Sequence, residues 1–328
     1  MGGQPILIAC CLILPWFMGG PSPTWAVSAG QVTPIASNGT LSGHELLRIG
    51  EIHDLQQHFR ETLTYYQLAL SRFREKQQPQ GIATALLKIA RVYERQGKIQ
   101  AAYKALQEAI PLFARSADRS AQGEALLAMG RITARLGRRD ESRDSFSQAV
   151  GLFTRGKDAR GWNEATVQLG LLQVSDEESA AGLSALQQAI EEAGTRRDAE
   201  QQLTALLALG DAHRLLDRTL DARADYLRGL RLAEADHQLP FEATLRLRLA
   251  QLDEADGALN DGVTLAKRAV LLSQTLHDAA TEAQAWSLLA DLYRKLDQPT
   301  ESEAAEMRAL ALYRKREIFV HGARQEGS

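Results

Sequence analysis

The chain has 328 residues, and its 38 Lys plus Arg against 41 Asp plus Glu leave a formal charge of −3, with no basic block beyond Arg138-Arg139 and Arg196-Arg197. That balance lacks the electrostatic footprint of a nucleic-acid binder. The two cysteines, Cys10 and Cys11, are adjacent in an N-terminal apolar segment, which excludes disulfides, zinc thiolates and a cysteine nucleophile from the rest of the chain.

Residues 5–18 form an apolar run of the length of a signal h-region, too short to span a bilayer comfortably. Val27-Ser28-Ala29 then offers small residues where a signal peptidase reads, so residues 1–29 are expected to be an export signal cleaved before Gly30. No Lys or Arg precedes Arg48, so the positive n-region of such a signal is missing. Two other readings stay open: a membrane or lipid anchor, since Leu7-Ile8-Ala9-Cys10 has lipoprotein-box order, and a cytoplasmic chain with a later start. The expected localisation is periplasmic or extracellular, with no integral membrane domain after cleavage. Residues 30–42 carry no charge and several Pro, Gly, Ser and Thr, as a flexible linker does.

From residue 43 to residue 320 the chain repeats every forty residues, seven times, and residues 321–328 are left as a tail. Ala69, Ala109, Ala149, Ala189, Gly229, Ala269 and Ala309 form one column. Gly50, Ala90, Gly130, Gly170, Gly210, Ala250 and Ala290 form a second, and Thr62, Ala102, Ser142, Gly182, Ala222, Gly262 and Ser302 a third. Phase-locked small residues in so polar a chain mark an array in which each unit buries its apolar face against its neighbours.

Each unit reads as two helices. Residues 81–97 place Ala85, Leu86, Ile89, Ala90, Val92 and Tyr93 at helical spacing, and Gly97 ends the helix where a left-handed cap is needed. Gly137 and Gly257 share that phase, with Asp217 and Asp297 in other units. A second helix follows from about Ile99 to Ala114, and Phe73, Phe113, Phe153 and Tyr313 recur in the last turn of such helices. Asp118, Asp158, Asp198 and Asp278 precede first helices, where a carboxylate accepts the unpaired amides of the first turn. Pro79 and Pro240 stand at or near other helix starts, a position that tolerates proline.

These units resemble the tetratricopeptide repeat family in a forty-residue form. Leu86, Ile89-Ala90, Tyr93, Ala102, Leu106 and Ala109 occupy the family's positions in the second unit, and Trp286, Leu289-Ala290, Tyr293, Ser302 and Ala309 in the seventh. The family's closing proline is absent, as a longer second helix requires. The resemblance implies an all-α superhelix of about seven helical hairpins, with first helices lining a concave side. It implies a binding scaffold but names no partner, because the family serves many.

On that resemblance two rows face the groove. One reads Leu47, Leu87, Leu127, Val167, Leu207, Leu247, Ser287 and the other Glu51, Arg91, Arg131, Leu171, Asp211, Gln251, Asp291. Lys88, Arg95 and Arg135 lie beside the two arginines and concentrate positive charge in the second and third units. The expected partner-binding set is therefore Leu87, Lys88, Arg91, Arg95, Leu127, Arg131 and Arg135, and the expected counterpart is a protein or peptide segment with an acidic stretch. The alternative is that the leucines fill contacts between first helices and the charges are solvated. The repeats contain only Asn163 and Asn260, so the asparagine-rich clamp for chaperone tails is missing.

No catalytic, metal or cofactor set emerges. His53 and His58 are five apart and do not share a helix face, and His53 and His213 take the phase of Tyr93 and Tyr293, a packing position. His277-Asp278 is a helix start. The fourth and sixth units drift: Thr166 and Arg246 replace a large apolar residue, Ala266 takes an aromatic place, and Ser175-Asp176-Glu177-Glu178 makes an acidic turn. Local repacking explains both units; a hinge or partner notch is the alternative. The function expected is a non-enzymatic exported scaffold, the alternatives a structural subunit of an envelope assembly or a cytoplasmic peptide-sensing regulator.

Overall fold

A computed structural model describes the backbone of residues 41–325, apart from 117 and 177, and the side chains of residues 41–314 with the same gaps. The expected signal at 1–29 and nearly all of the expected linker lie outside the described residues. Among the described residues there are fourteen α-helices and no strand. They are α1 Gly43–Leu55, α2 Phe59–Glu75, α3 Pro79–Arg95, α4 Ile99–Ala114, α5 Arg119–Arg135, α6 Arg139–Gly156 and α7 Ala159–Ser175. Then come α8 Ser179–Thr195, α9 Ala199–Leu215, α10 Thr219–Ala235, α11 Leu239–Asp256, α12 Leu259–Thr275, α13 Ala279–Lys295 and α14 Pro299–Gln325. Each consecutive pair is one forty-residue unit, and seven hairpins result.

The helices end where the chain turns left-handed. Positive φ falls at Gln57, Gly97, Gly137, Asp217, Gly257 and Asp297 inside hairpins, and at Gln77, Lys157, Arg197, His237 and His277 between them. At Gly97 the turn is a Schellman motif, with Lys98 N–H donating to the Tyr93 carbonyl at 2.9 Å and Gly97 N–H to that of Glu94 at 3.0 Å. Asp118, Asp158, Asp198 and Asp278 accept from the first-turn amides of Ala121, Gly161, Gln201 and Thr281 at 2.9, 2.9, 3.1 and 3.2 Å. Pro79 and Pro240 sit in the first turns of α3 and α11.

The small columns are the two sides of a helix crossing. Ser142 Oγ donates across its hairpin to the Gly130 carbonyl at 2.8 Å, and Ser302 Oγ to that of Ala290 at 2.9 Å. In the fourth unit both positions are glycine, and a Cβ built on Gly182 would lie 2.5 Å from the Gly170 carbonyl oxygen. The backbones of α7 and α8 meet there with no side chain between them. The first column lies between hairpins: Gly229 packs between Leu206 of its own unit and Leu245 of the next.

Large core side chains seat against small residues of the facing helix. At three glycines of the second column an aromatic of the following helix covers the gap, Tyr66 on Gly50, Phe146 on Gly130 and Tyr226 on Gly210, whereas Gly170 meets Leu186 and the Gly182 backbone. Ala90 and Ala250 carry a Cβ in this column, and the buried residues sixteen positions on are the smaller Leu106 and Ala266. Phe153, fully buried, seats its ring against Gly123 of α5 and Gly161 of α7, and Phe73 uses Gly43 and Gly81 in the same way. Rings thus sit where glycine leaves room for them, as close packing demands.

Each helix packs on its chain neighbours, and first helices also meet each other: α1 with α3, α3 with α5, α5 with α7, α7 with α9 and α11 with α13. Second helices do not approach one another as closely. The first helices therefore form the inner face of the solenoid, and α7 and α9 make the broadest of these inner contacts. No helix among the described residues is long and apolar enough to cross a membrane.

Candidate functional site

The inner face differs from the groove read in the sequence. Leu47, Leu87, Leu127, Val167 and Leu247 are buried, between 1% and 6% exposed, so the leucine row fills the seams between first helices. Leu87 and Leu127 belong to the core and offer no apolar stripe to a partner. Helical periodicity alone does not tell a residue that faces the neighbouring helix from one that faces the groove.

The positive residues do reach the face, but each is already engaged. Lys88 Nζ lies 2.7 Å from Glu51, Arg91 2.6 Å from Glu124, and Arg95 pairs with Asp54 while its guanidinium covers the Phe59 ring at 5.1 Å. Arg131 spans two neighbours, 3.3 Å to Glu94 and 3.0 Å to Glu164, and Arg135 donates to the Glu94 backbone carbonyl at 3.2 Å. The expected concentration of free positive charge is thus a ladder of pairs between units. Farther along, Arg248 pairs with Asp211 at 2.9 Å and Lys295 with Glu254 at 3.0 Å. The acidic partners fall 33 to 41 residues away, out of sight of an intrahelical charge count.

This changes what charge reversal does. Arg131→Glu would place three carboxylates together, so a loss of roughly 1–2 kcal/mol of stability is expected rather than the few tenths of a solvated position. Arg131→Gln should lose less. Urea titrations of the two variants check this, and equal midpoints for Arg131→Glu and the parent would show that the ladder contributes nothing.

The drifting units contain polar cores. In the fourth, Asn163 is fully buried and donates through Nδ2 to the Ala189 carbonyl at 2.8 Å, while Thr166 is buried with no side-chain partner. Asp176 of the acidic turn pairs with Arg139 and lies 2.8 Å from Arg143 Nη2. In the sixth, Arg246 binds Glu234 at 2.6 Å and the buried Glu242 at 3.0 Å, and Arg223 binds the buried Asp253 at 2.6 Å. The charged residues that take buried positions in the sixth unit thus come with their counter-charges.

The hydrogen bond from Arg143 holds the Asp176 carboxyl below the usual range, helped by Arg139. A carboxyl lowered in the folded state contributes stability that is full above its unfolded value, near 3.9, and is lost as pH falls through the lowered one. Asp176→Asn is expected to remove that part of the acid-limb loss. Thermal midpoints of parent and variant between about pH 6 and pH 2 check it; parallel curves would contradict the assignment.

His53 and His213 are packing and pairing groups. His53 stacks on Tyr65 with ring centroids 5.2 Å apart, and His213 Nδ1 lies 2.7 Å from Asp225, whose carboxyl is pushed up by burial. No group of three or more metal-ligating side chains occurs among the described residues.

The architecture defines a class, the α-solenoid of helical hairpins. Two tetratricopeptide repeat models match the chain, at residues 81–155 and 283–316, and the forty-residue columns carry the same pattern through the units between them. The chain is a tetratricopeptide repeat protein. No curated protein matches it in sequence. Among solved structures it is similar to the apo form of RapI, at 12% identity and TM-score 0.66, over 84% of this chain and 99% of that one. A Rap protein complexed with competence and sporulation factor matches at 14% identity and TM-score 0.62, over 84% and 76%. The Rap conjugation gene regulator of plasmid pLS20, in complex with the Phr* peptide, matches at 12% and 0.59, over 88% and 82%. At such identities the likeness is one of fold.

Proposed function

We propose that this protein is a non-enzymatic, exported scaffold that holds a segment of a partner protein on the inner face formed by its first helices. The observation that carries the reading is the face itself: the first helices share an inner face on which charges from α1 to α7 and from α9 to α13 are fixed in position by pairing with a neighbouring unit. A face stiffened in this way offers a preorganised surface, which lowers the ordering cost of binding an extended segment. The similar solenoid solved with the Phr* peptide supports segment-holding as a use of this fold. Export rests on the apolar run at 5–18 and the small residues at 27–29.

Two measurements test it. Fractionation of cells carrying the tagged chain should place it outside the cytoplasm, with Gly30 at its N-terminus; a cytosolic pool with Met1 retained removes export. Peptide-array binding to the full chain should reveal linear segments that compete with one another for one site. Binding only to folded partners, with no linear segment retained, would favour a subunit of a larger assembly instead.

A further inference from the structure

The inner face is not uniform. From α1 to α7 it carries the paired charges Glu51 with Lys88, Asp54 with Arg95, Arg91 with Glu124, and Arg131 with Glu94 and Glu164. From α9 to α13 it carries Asp211 with Arg248 and Glu254 with Lys295. Between these runs the ladder lapses. Leu171 stands at the phase where Arg131 and Asp211 exchange ion pairs with their neighbours, and it is only partly buried. Around it on α7 are Gln168, whose side chain has no hydrogen-bond partner among the described residues, and Ser175, which donates to the Leu171 carbonyl at 3.0 Å. On α9 the same phases hold Ala208, in place of the cationic Lys88 and Arg248, and Leu215, which is 56% exposed. The ion pair that joins α7 to α9, Arg160 with Glu200 at 3.0 Å, lies eleven residues before Leu171, about 16 Å along the helix.

Resting on the reading above, we propose that this α7–α9 window anchors the partner segment, and that it takes an uncharged stretch with a bulky apolar side chain seated against Leu171 and Leu215. Charge complementarity decides the chemistry. An acidic segment over α3 and α5 would have to displace Glu124, Glu94 or Glu164 from arginines they already satisfy, exchanging one carboxylate for another at little gain. At the window nothing has to be displaced, an apolar side chain removes exposed leucine surface from water, and the Gln168 amide is free to bond the backbone of an extended chain. Arg135 of α5 is held to the Glu94 carbonyl, and Arg214, the residue before Leu215, points about 100° around α9 from it.

The test is a displayed library of random dodecapeptides, half with acidic positions and half without charge, selected on the full-length chain at low and at high salt. Enriched peptides should be uncharged, should share one bulky apolar position, and should bind equally at both salt concentrations. Against Leu171→Lys, and separately against Leu215→Glu, their affinity should fall by about tenfold or more. Leu215 is exposed enough that its variant keeps the fold, and helical circular dichroism verifies both. Enriched peptides that are acidic and salt-sensitive, or that bind both variants like the parent, overturn the window while leaving the scaffold reading in place. Absence of any enrichment removes the scaffold reading and the window with it. A full chain whose mass by light scattering doubles, and halves again with Leu215→Glu, would make the window a contact between two copies and overturn the proposal.

Discussion

Phe153→Ala is expected to destabilise the array by about 3–5 kcal/mol, because the ring is fully buried and fills the space left by two glycines on successive first helices. Gly161→Ala in the parent should cost about 1–3 kcal/mol, since its Cβ would lie 2.4 Å from the ring. The two changes share one space, so they cannot add. With the ring gone the clash disappears, and Gly161→Ala should become neutral or stabilising by up to about 1 kcal/mol through helix propensity. Denaturant unfolding of the four proteins in this cycle reads the coupling; additive costs would mean that ring and glycine do not share a space.

The second large effect is expected at Arg223. Its partner Asp253 is 4% exposed, so Arg223→Met leaves a buried carboxylate unpaired, at about 3–5 kcal/mol. Adding Asp253→Leu should recover most of that loss, because this phase carries Tyr93 and Tyr293 in other units and accepts an apolar side chain. The exposed Arg72 with Glu75 pair, 2.9 Å apart and at least 39% exposed on both sides, gives the contrast, and Arg72→Met should change stability by no more than about 0.5 kcal/mol. Thermal or urea unfolding distinguishes the three. Failure of the double variant to recover would show Asp253 held by more than its arginine.

The sequence makes the array legible because each unit solves one packing problem with one solution. Three columns of small residues follow from helices crossing closely at fixed points, and the hairpin-ending glycines follow from a turn that needs positive φ. The corresponding turns between units are less legible, since Gln77, Lys157, Arg197, His237 and His277 adopt the same conformation without glycine. Their phase, twenty residues from the glycines, was the available signal.

The inner face was less legible for a physical reason. Whether Leu87 faces solvent or the neighbouring helix depends on a rotation of one residue about the helix axis, which the adjacent unit fixes and the repeat pattern does not. Whether Arg91 is free depends on Glu124 in the next hairpin. A charge inventory along single helices sees Lys88, Arg91 and Arg95 as a cluster, whereas the tertiary structure pairs each with a carboxylate of another unit. Comparing the rows column against column, rather than along each helix, exposes both the ladder and its lapse at Leu171.

The most direct test of the account is hydrogen exchange on the full-length chain with and without an enriched peptide. Added protection should map to α7 and α9, around Leu171 and Leu215, with lesser effects on α5 and α11 and none on the second helices. Protection confined to the second helices, or to α1 and α14 at the two ends, would contradict it.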